Sequence, residues 1–283
     1  MRERIWKIGK RVFDVSRRGL IMGVLNVTPD SFSDPGEFFV PDKAIARALQ
    51  MAADGAHIID IGGESTRPGS EPVTAEEELR RVIPVIEKLR PKLDVPISID
   101  TSKAEVARAA IEAGASIVND ITGGRGDDQM LRLVAETKSA FIIMHMQGTP
   151  RTMQIQPRYT DVVAEISEFF RQQYALTIGL NIDPMAIAFD PGVGFGKTLE
   201  HNLELLAQLE RLRAYDRPLV VGVSRKSFLG KLIGSPEISD RLVPGLALSA
   251  LLRTRGADVF RVHDVKENVH ALRVSEAILQ RAK

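Results

Sequence analysis

Cysteine is absent from this chain of 283 residues, which excludes disulfides, thiolate metal sites and cysteine nucleophiles together and fits a reducing compartment. Any metal ion must then be held by oxygen or nitrogen. Long apolar runs are absent as well: none approaches the roughly 18 residues that a membrane span needs. The stretch Met1 to Lys10 mixes Arg, Glu and Trp, so it does not read as a secretory signal, and the expected location is the cytoplasm. Net charge is nearly missing too. Lys plus Arg number 38 against 37 Asp plus Glu, leaving +1, without the basic field that a nucleic-acid binder needs. Neither nucleic acid nor membrane is expected as a partner; a small-molecule substrate is. No Ser- or Pro-rich linker or low-complexity block divides the chain, so residues 1–283 read as a single domain.

What is present is an alternation of amphipathic and strongly apolar segments. Three times a helical stretch ends in Gly-Ala, one residue follows, and a short apolar run closes on a polar side chain. The copies are Gly55-Ala56 before Ile58-Ile59-Asp60, Gly114-Ala115 before Ile117-Val118-Asn119, and Gly256-Ala257 before Val259-Phe260-Arg261. Glycine just past a helix end turns the chain through a left-handed conformation, and the run after it forms a buried strand. Five further runs fit the series: Ile21 to Leu25, Ile97 to Ile99, Phe141 to Met144, Ala186 to Phe189 and Leu219 to Val223. Helical patterns separate them, among them Asp42 to Asp54, Ala75 to Leu89, Lys103 to Ala113, Asp161 to Thr177 and Asp240 to Thr254. Eight units of about 35 residues predict an α/β fold, an eight-stranded parallel βα (TIM) barrel. Ile5 to Val15 is a short N-terminal extension, expected as a hairpin or a cover at the barrel's base.

The rival is an open doubly wound sheet, which would carry a glycine-rich nucleotide fingerprint at its first βα turn. That turn reads Asn26-Val27-Thr28-Pro29-Asp30 instead. The later segment Pro191-Gly192-Val193-Gly194-Phe195-Gly196-Lys197-Thr198 imitates a phosphate-binding loop, but Pro191 stands where that motif needs glycine.

In a βα barrel the C-terminal strand ends meet around one mouth. The residues there are Asn26, Asp60 with Glu64, Asp100, Asn119 with Asp120, His145, Asp190, Ser224 to Lys226, and Arg261 with His263. Polar groups at the end of every buried run are costly unless satisfied, and their convergence predicts an active site. Asp100, Asn119 and Asp190 suit the donor-rich edge of a flat heterocycle such as an amino-pyrimidinone. Arg67, Lys226, Arg261 and His263 suit an anion such as phosphate.

On these residues the chain resembles dihydropteroate synthase, the folate-pathway member of the pterin-binding barrel family. The resemblance rests on Asn26-Val27-Thr28-Pro29-Asp30-Ser31-Phe32-Ser33-Asp34, Asp60-Ile61-Gly62-Gly63-Glu64-Ser65-Thr66-Arg67-Pro68-Gly69, Ser98-Ile99-Asp100-Thr101, Val118-Asn119-Asp120 and Met144-His145-Met146. It continues through Asp190 to Lys197, Ser224-Arg225-Lys226-Ser227 and Arg261-Val262-His263-Asp264. It implies a transferase of the kind that sulfonamides target, commonly dimeric, that joins p-aminobenzoate to 6-hydroxymethyl-7,8-dihydropterin pyrophosphate with help from Mg²⁺. Carried over by motif, catalytic roles fall on Asp34, Arg67, Lys226, Arg261 and His263. Substrate contacts fall on Phe32, Thr66, Asp100, Asn119, Met144, Asp190, Phe195, Lys226, Ser227 and Arg261, and Asn26 is the expected Mg²⁺ ligand. A dissociative, SN1-like step is expected, with Asp34 approaching the cationic centre.

Structural readings stand beside these. Asp60 is expected to bond backbone N–H groups at its turn, and Lys197 to be the charge of a solvated helix start. Glu76 to Glu78 and Arg80-Arg81 read as a solvated helix face. Where the family usually runs Gly-Gly after Asp34, this chain has Pro35-Gly36, which predicts a stiffer first loop. A corrinoid-linked pterin methyltransferase and a non-catalytic pterin-binding scaffold are the rival functions; the anion cluster of Asn26, Arg261 and His263 disfavours the first, and the intact Thr66-Arg67 and Ser224 to Ser227 segments the second.

Overall fold

The computed structural model describes residues 3–28, 41–67 and 69–281. Phe32 and Asp34, expected at the site, lie outside the described residues, as does Pro35. The extension is an antiparallel hairpin of β1 (Ile5–Ile8) and β2 (Arg11–Asp14). Alternation turns Trp6 and Ile8 inward, where they pack on Met22, Ile58, Ile142 and Val259. The Trp6 indole N–H donates to the Ala186 carbonyl at 3.1 Å. The extension is therefore both a hairpin and the cover of the barrel's base.

Eight parallel strands follow: β3 (Leu20–Asn26), β4 (Ile58–Gly62), β5 (Ile97–Asp100), β6 (Ile117–Asp120), β7 (Ala140–Met144), β8 (Ile187–Asp190), β9 (Val220–Val221) and β10 (Val259–Val262). Their order is β8-β7-β6-β5-β4-β3-β10-β9, and a parallel bridge between Phe189 and Leu219 brings β8 to the entry of β9. This is the parallel βα barrel that the sequence predicts. The helices of its outer layer are α1 (Pro41–Ala53), α2 (Ala75–Leu89), α3 (Ala104–Glu112), α4 (Met130–Thr137), α5 (Val162–Gly179), α6 (Leu199–Ala207), α7 (Ser227–Ile233), α8 (Leu242–Thr254) and α9 (Val265–Leu279). Gly55, Gly114 and Gly256 have φ of 104°, 116° and 95°, the left-handed turn that the Gly-Ala repeat predicts. Among the described residues no helix is long and apolar enough to cross a membrane.

Asp258, fully buried at the base, ties the layers together. Its Oδ1 accepts from Arg4 Nη2 at 2.9 Å and Nε at 3.1 Å, and its Oδ2 from Arg213 Nη1 at 2.9 Å and the Leu219 N–H at 3.1 Å. Arg253 Nη1 stands 3.6 Å from Oδ1.

Candidate active site

Period two decides what enters the barrel, because successive side chains of a strand point to opposite faces. Ile58, Ile117, Ala188 and Val259 pack together with the hairpin at the base. Two residues on, along the same faces, come Asp60, Asn119, Asp190 and Arg261. The β5–β6 register sets Asp100 beside Asn119. Residues between them, such as Ile59, Ile99, Val118 and Phe260, join the larger core shared with the helices. The apolar base thus gives way to a polar layer without any break in strand geometry.

A narrow pocket at this level is lined by Thr66, Asp100, Asn119, Met144, Asp190, Phe195, Lys226 and Arg261, all expected there from sequence. Asn26, Arg67, Ser227 and His263 are not on its walls. Asn26 ends β3 opposite Gly62; Arg67 is exposed in the β4–α2 loop, Ser227 is exposed at the start of α7, and His263 follows β10. A cavity of about 620 Å³ adjoins the pocket, sharing Thr66, Asp100 and Ile121 and adding Arg125, His145 and Tyr159.

Arg261 is the centre of the polar layer. Its Nε donates to Asp60 Oδ2 and its Nη2 to Asp100 Oδ2, both at 2.6 Å. Asn119 Nδ2 donates to the same Asp60 oxygen at 3.2 Å. Asp60 therefore does not serve turn N–H groups as expected: it holds a site arginine and a site asparagine. Its inward direction was legible, since it follows Ile58 by two residues, but its partner stands 201 residues away and no local pattern reveals that. Burial works against the Arg261 charge, yet Asp60 and Asp100 outweigh it and hold the guanidinium above its ordinary range.

Burial pushes the Asp100 carboxyl up to about 7, with Arg261 opposing the rise and Asp60 adding to it. Asp190 is also raised by burial, and its Oδ1 accepts from the Gly192 N–H at 2.7 Å. Lys226 is brought down to about 8 by burial and by Arg261. Its ammonium lies 4.2 Å from the centre of the Phe195 ring, in a cation–π contact. His263 is lowered to about 3 by burial and by Arg261 and Arg225, so its imidazole is neutral at pH 7. Ser224 Oγ accepts from the His263 backbone N–H at 3.2 Å and lies 3.1 Å from Nδ1. A hydroxyl donating to Nδ1 leaves the ring proton on Nε2, a neutral donor suited to an anion.

Lys197 also departs from expectation. It is 2% exposed, and its ammonium donates to the carbonyls of Gly192 and Phe195, each at 3.0 Å, and faces His145 Nδ1 at 3.2 Å. Burial lowers it to about 7. The glycines around it serve close backbone approach: a Cβ on Gly192 would stand 1.9 Å from the His145 carbonyl oxygen. The segment that imitates a phosphate loop is thus wrapped around a lysine of its own. Glu78 and Arg81 are a third departure, since Glu78 is fully buried and the Arg81 side chain is 12% exposed. Glu78 shares the helical spacing of Val82, Val85 and Leu89 on the buried face of α2, a signal that the sequence carried.

The sequence profile of pterin binding enzymes matches residues 22–263. A dihydropteroate synthase of Synechocystis sp. is 47% identical over 271 residues, covering 96% of this chain and 94% of the relative. The chain belongs to the dihydropteroate synthase family. A solved Yersinia pestis dihydropteroate synthase in complex with a sulfonamide drug superposes with a TM-score of 0.91 at 42% identity, covering 98% of this chain and 99% of that one. A Xanthomonas albilineans dihydropteroate synthase with 4-aminobenzoic acid also gives 0.91, at 41% identity over the same shares. As a member of the dihydropteroate synthase family the chain is an enzyme, a transferase. The matched span opens within β3, at Met22, and ends at His263, so it reaches every strand of the barrel and leaves out the hairpin at the base.

Proposed function

We propose that this enzyme joins p-aminobenzoate to 6-hydroxymethyl-7,8-dihydropterin pyrophosphate, giving 7,8-dihydropteroate and pyrophosphate in folate biosynthesis. The observation that carries the reading is the pocket in which Asp100, Asn119, Asp190 and Lys226 surround one arginine that Asp60 and Asp100 hold in place. Buried carboxylates there accept the N–H donors of the pterin edge, while Arg261 has three of its five N–H donors left for the pyrophosphate oxygens. His263 adds a neutral N–H donor and Asn26 a carboxamide at the same rim.

The carbon–oxygen bond then breaks in a dissociative, SN1-like step. The pterin ring delocalises the positive charge on its methylene carbon, and Asp100 and Asp190 favour that charge electrostatically. Arg261 stabilises the negative charge that grows on the leaving pyrophosphate. The arylamine is neutral at pH 7 and needs positioning more than a strong base; Lys226, Ser227 and the Thr66–Arg67 loop supply it. Asp34 completes the set in this reading.

Mg²⁺ fits the donor chemistry at the rim, where the hard amide oxygen of Asn26 suits an ion held mainly by substrate phosphates. When bound it would neutralise charge on the departing pyrophosphate.

The test is p-aminobenzoate-dependent release of pyrophosphate from substrate carrying ¹⁸O in the bridge between carbon and phosphorus. The label is expected in the pyrophosphate. Label retained in the hydroxymethylpterin would mean phosphorus–oxygen cleavage and would overturn the mechanism.

We also propose a homodimer, formed through α8 and α9. Val243 and Leu251 on α8 and Val274 and Ile278 on α9 are exposed apolar side chains on two helices packed together, with Val243 73% and Ile278 65% exposed. Sedimentation should show twice the 31.2 kDa chain mass; a species of single mass would remove the proposal. The cysteine-free composition supports a cytoplasmic setting.

A further inference from the structure

The β4–α2 loop that brings Thr66 to the pocket has a built root. Arg81 Nη1 donates to the Gly63 carbonyl at 2.7 Å, and its Nε to Glu77 at 2.8 Å. A Cβ on Gly63 would meet Val82 Cγ1 at 2.8 Å and Glu78 Cγ at 3.0 Å, so the chain lies directly on α2. The next residue, Glu64, is paired with the ammonium of Lys103, which also donates to Glu78 Oε2 at 2.7 Å. Lys103 is itself fixed: its backbone N–H donates to Thr101 Oγ1 at 3.2 Å, and the following N–H, of Ala104, to Asp127 at 2.8 Å.

Glu78 is a costly member of this cluster. It occupies the apolar stripe of α2, its side chain is 1% exposed, and among the described residues its buried Oε1 has no hydrogen-bond partner. A carboxylate kept in such a place without full satisfaction needs a compensating cation, and among the described residues Lys103 supplies it. The same ammonium reaches the loop through Glu64. Lys103 stands three residues beyond Asp100, so one short segment joins the pterin carboxylate to the root of the Thr66 loop. Glu64, Glu78, Asp100 and Thr66 all line the 620 Å³ cavity beside the pocket.

We infer that Lys103 is a positioning residue: clamped between Glu64 and buried Glu78, it fixes the root of the loop carrying Thr66 and Arg67 in the geometry that p-aminobenzoate requires. The inference rests on the proposed activity and deepens it by assigning a role outside the pocket. Misplacement of a positioning segment by about 1 Å can cost a hundredfold in rate without touching the chemistry.

The experiment compares Lys103→Met, Lys103→Arg and Glu64→Gln with the wild-type chain, reading kcat, the KM for p-aminobenzoate, 6-hydroxymethylpterin affinity by calorimetry and the urea midpoint. Glu64→Gln leaves Glu78 its cation, so it loosens the loop root even if Lys103→Met fails to fold. The expected result is a KM for p-aminobenzoate raised about tenfold or more, on the scale that misplacement allows, with pterin affinity within about twofold. Lys103→Arg should restore most of the loss. A folded Glu64→Gln with wild-type KM, or a loss shared equally by pterin affinity, would overturn the inference. A wild-type chain that releases no pyrophosphate would instead strike the proposed function.

Discussion

Arg261→Ala is expected to lower turnover by about 10²–10³, the range seen when one donor to developing negative charge is removed. Under the proposed function the loss should concentrate in turnover. The guanidinium is anchored by Asp60 and Asp100, and in the proposed function its remaining donors serve charge that grows only as pyrophosphate departs. The affinity for 6-hydroxymethylpterin, which lacks the pyrophosphate, should change less at alkaline pH.

The same variant should shift a pH profile in a defined direction. In the proposed function pterin binding needs the Asp100 carboxylate, which burial raises to about 7 against the opposing effect of Arg261. In the wild-type chain, affinity is therefore present above about pH 7 and falls as pH drops through that value. Without Arg261 the opposing cation is gone, the carboxyl keeps its proton to higher pH, and the fall begins earlier. Calorimetric titration of the pterin between about pH 6 and 9, from one unit below to two units above a near-neutral carboxyl, would check this. Equal losses in turnover and affinity at every pH would remove Arg261 from the anion role.

Asp258→Ala is expected to destabilise the fold by about 3–5 kcal/mol, the cost of removing one partner from a buried ionic cluster. Total stabilities of about 5–15 kcal/mol make this a large fraction. Three guanidinium groups, from Arg4, Arg213 and Arg253, would be left around an empty position, and the Leu219 N–H would lose its acceptor. Asp258→Asn keeps an acceptor and should cost less. The base lies opposite the mouth, so kcat per folded molecule should be unchanged. A urea midpoint shift worth under about 1 kcal/mol would show that the cluster does not hold the hairpin and α8 to the barrel.

The strands were legible because each is a short apolar run, and their polar ends were legible because barrel geometry gathers strand ends. α2 was read to the residue, Ala75 to Leu89. What escaped were partnerships between distant segments. Asp60 and Arg261 belong to the second and last strands of the barrel and meet only because it closes. Lys197 looks solvated in sequence, yet the Gly192–Phe195 backbone and His145 close round its ammonium. Glu78 was misassigned for another reason: its charge outweighed its position, although its spacing from Val82 and Val85 placed it on the buried face.

The hairpin at the base has a practical consequence. Trp6 is the only tryptophan in the sequence, and it is wholly buried beneath the barrel with its indole bonded to the Ala186 carbonyl. Intrinsic fluorescence excited at the indole band thus reports on whether this N-terminal plug is seated. A red shift marks its release, and spectroscopy of the plug can be separated from ligand titrations at the opposite end of the molecule.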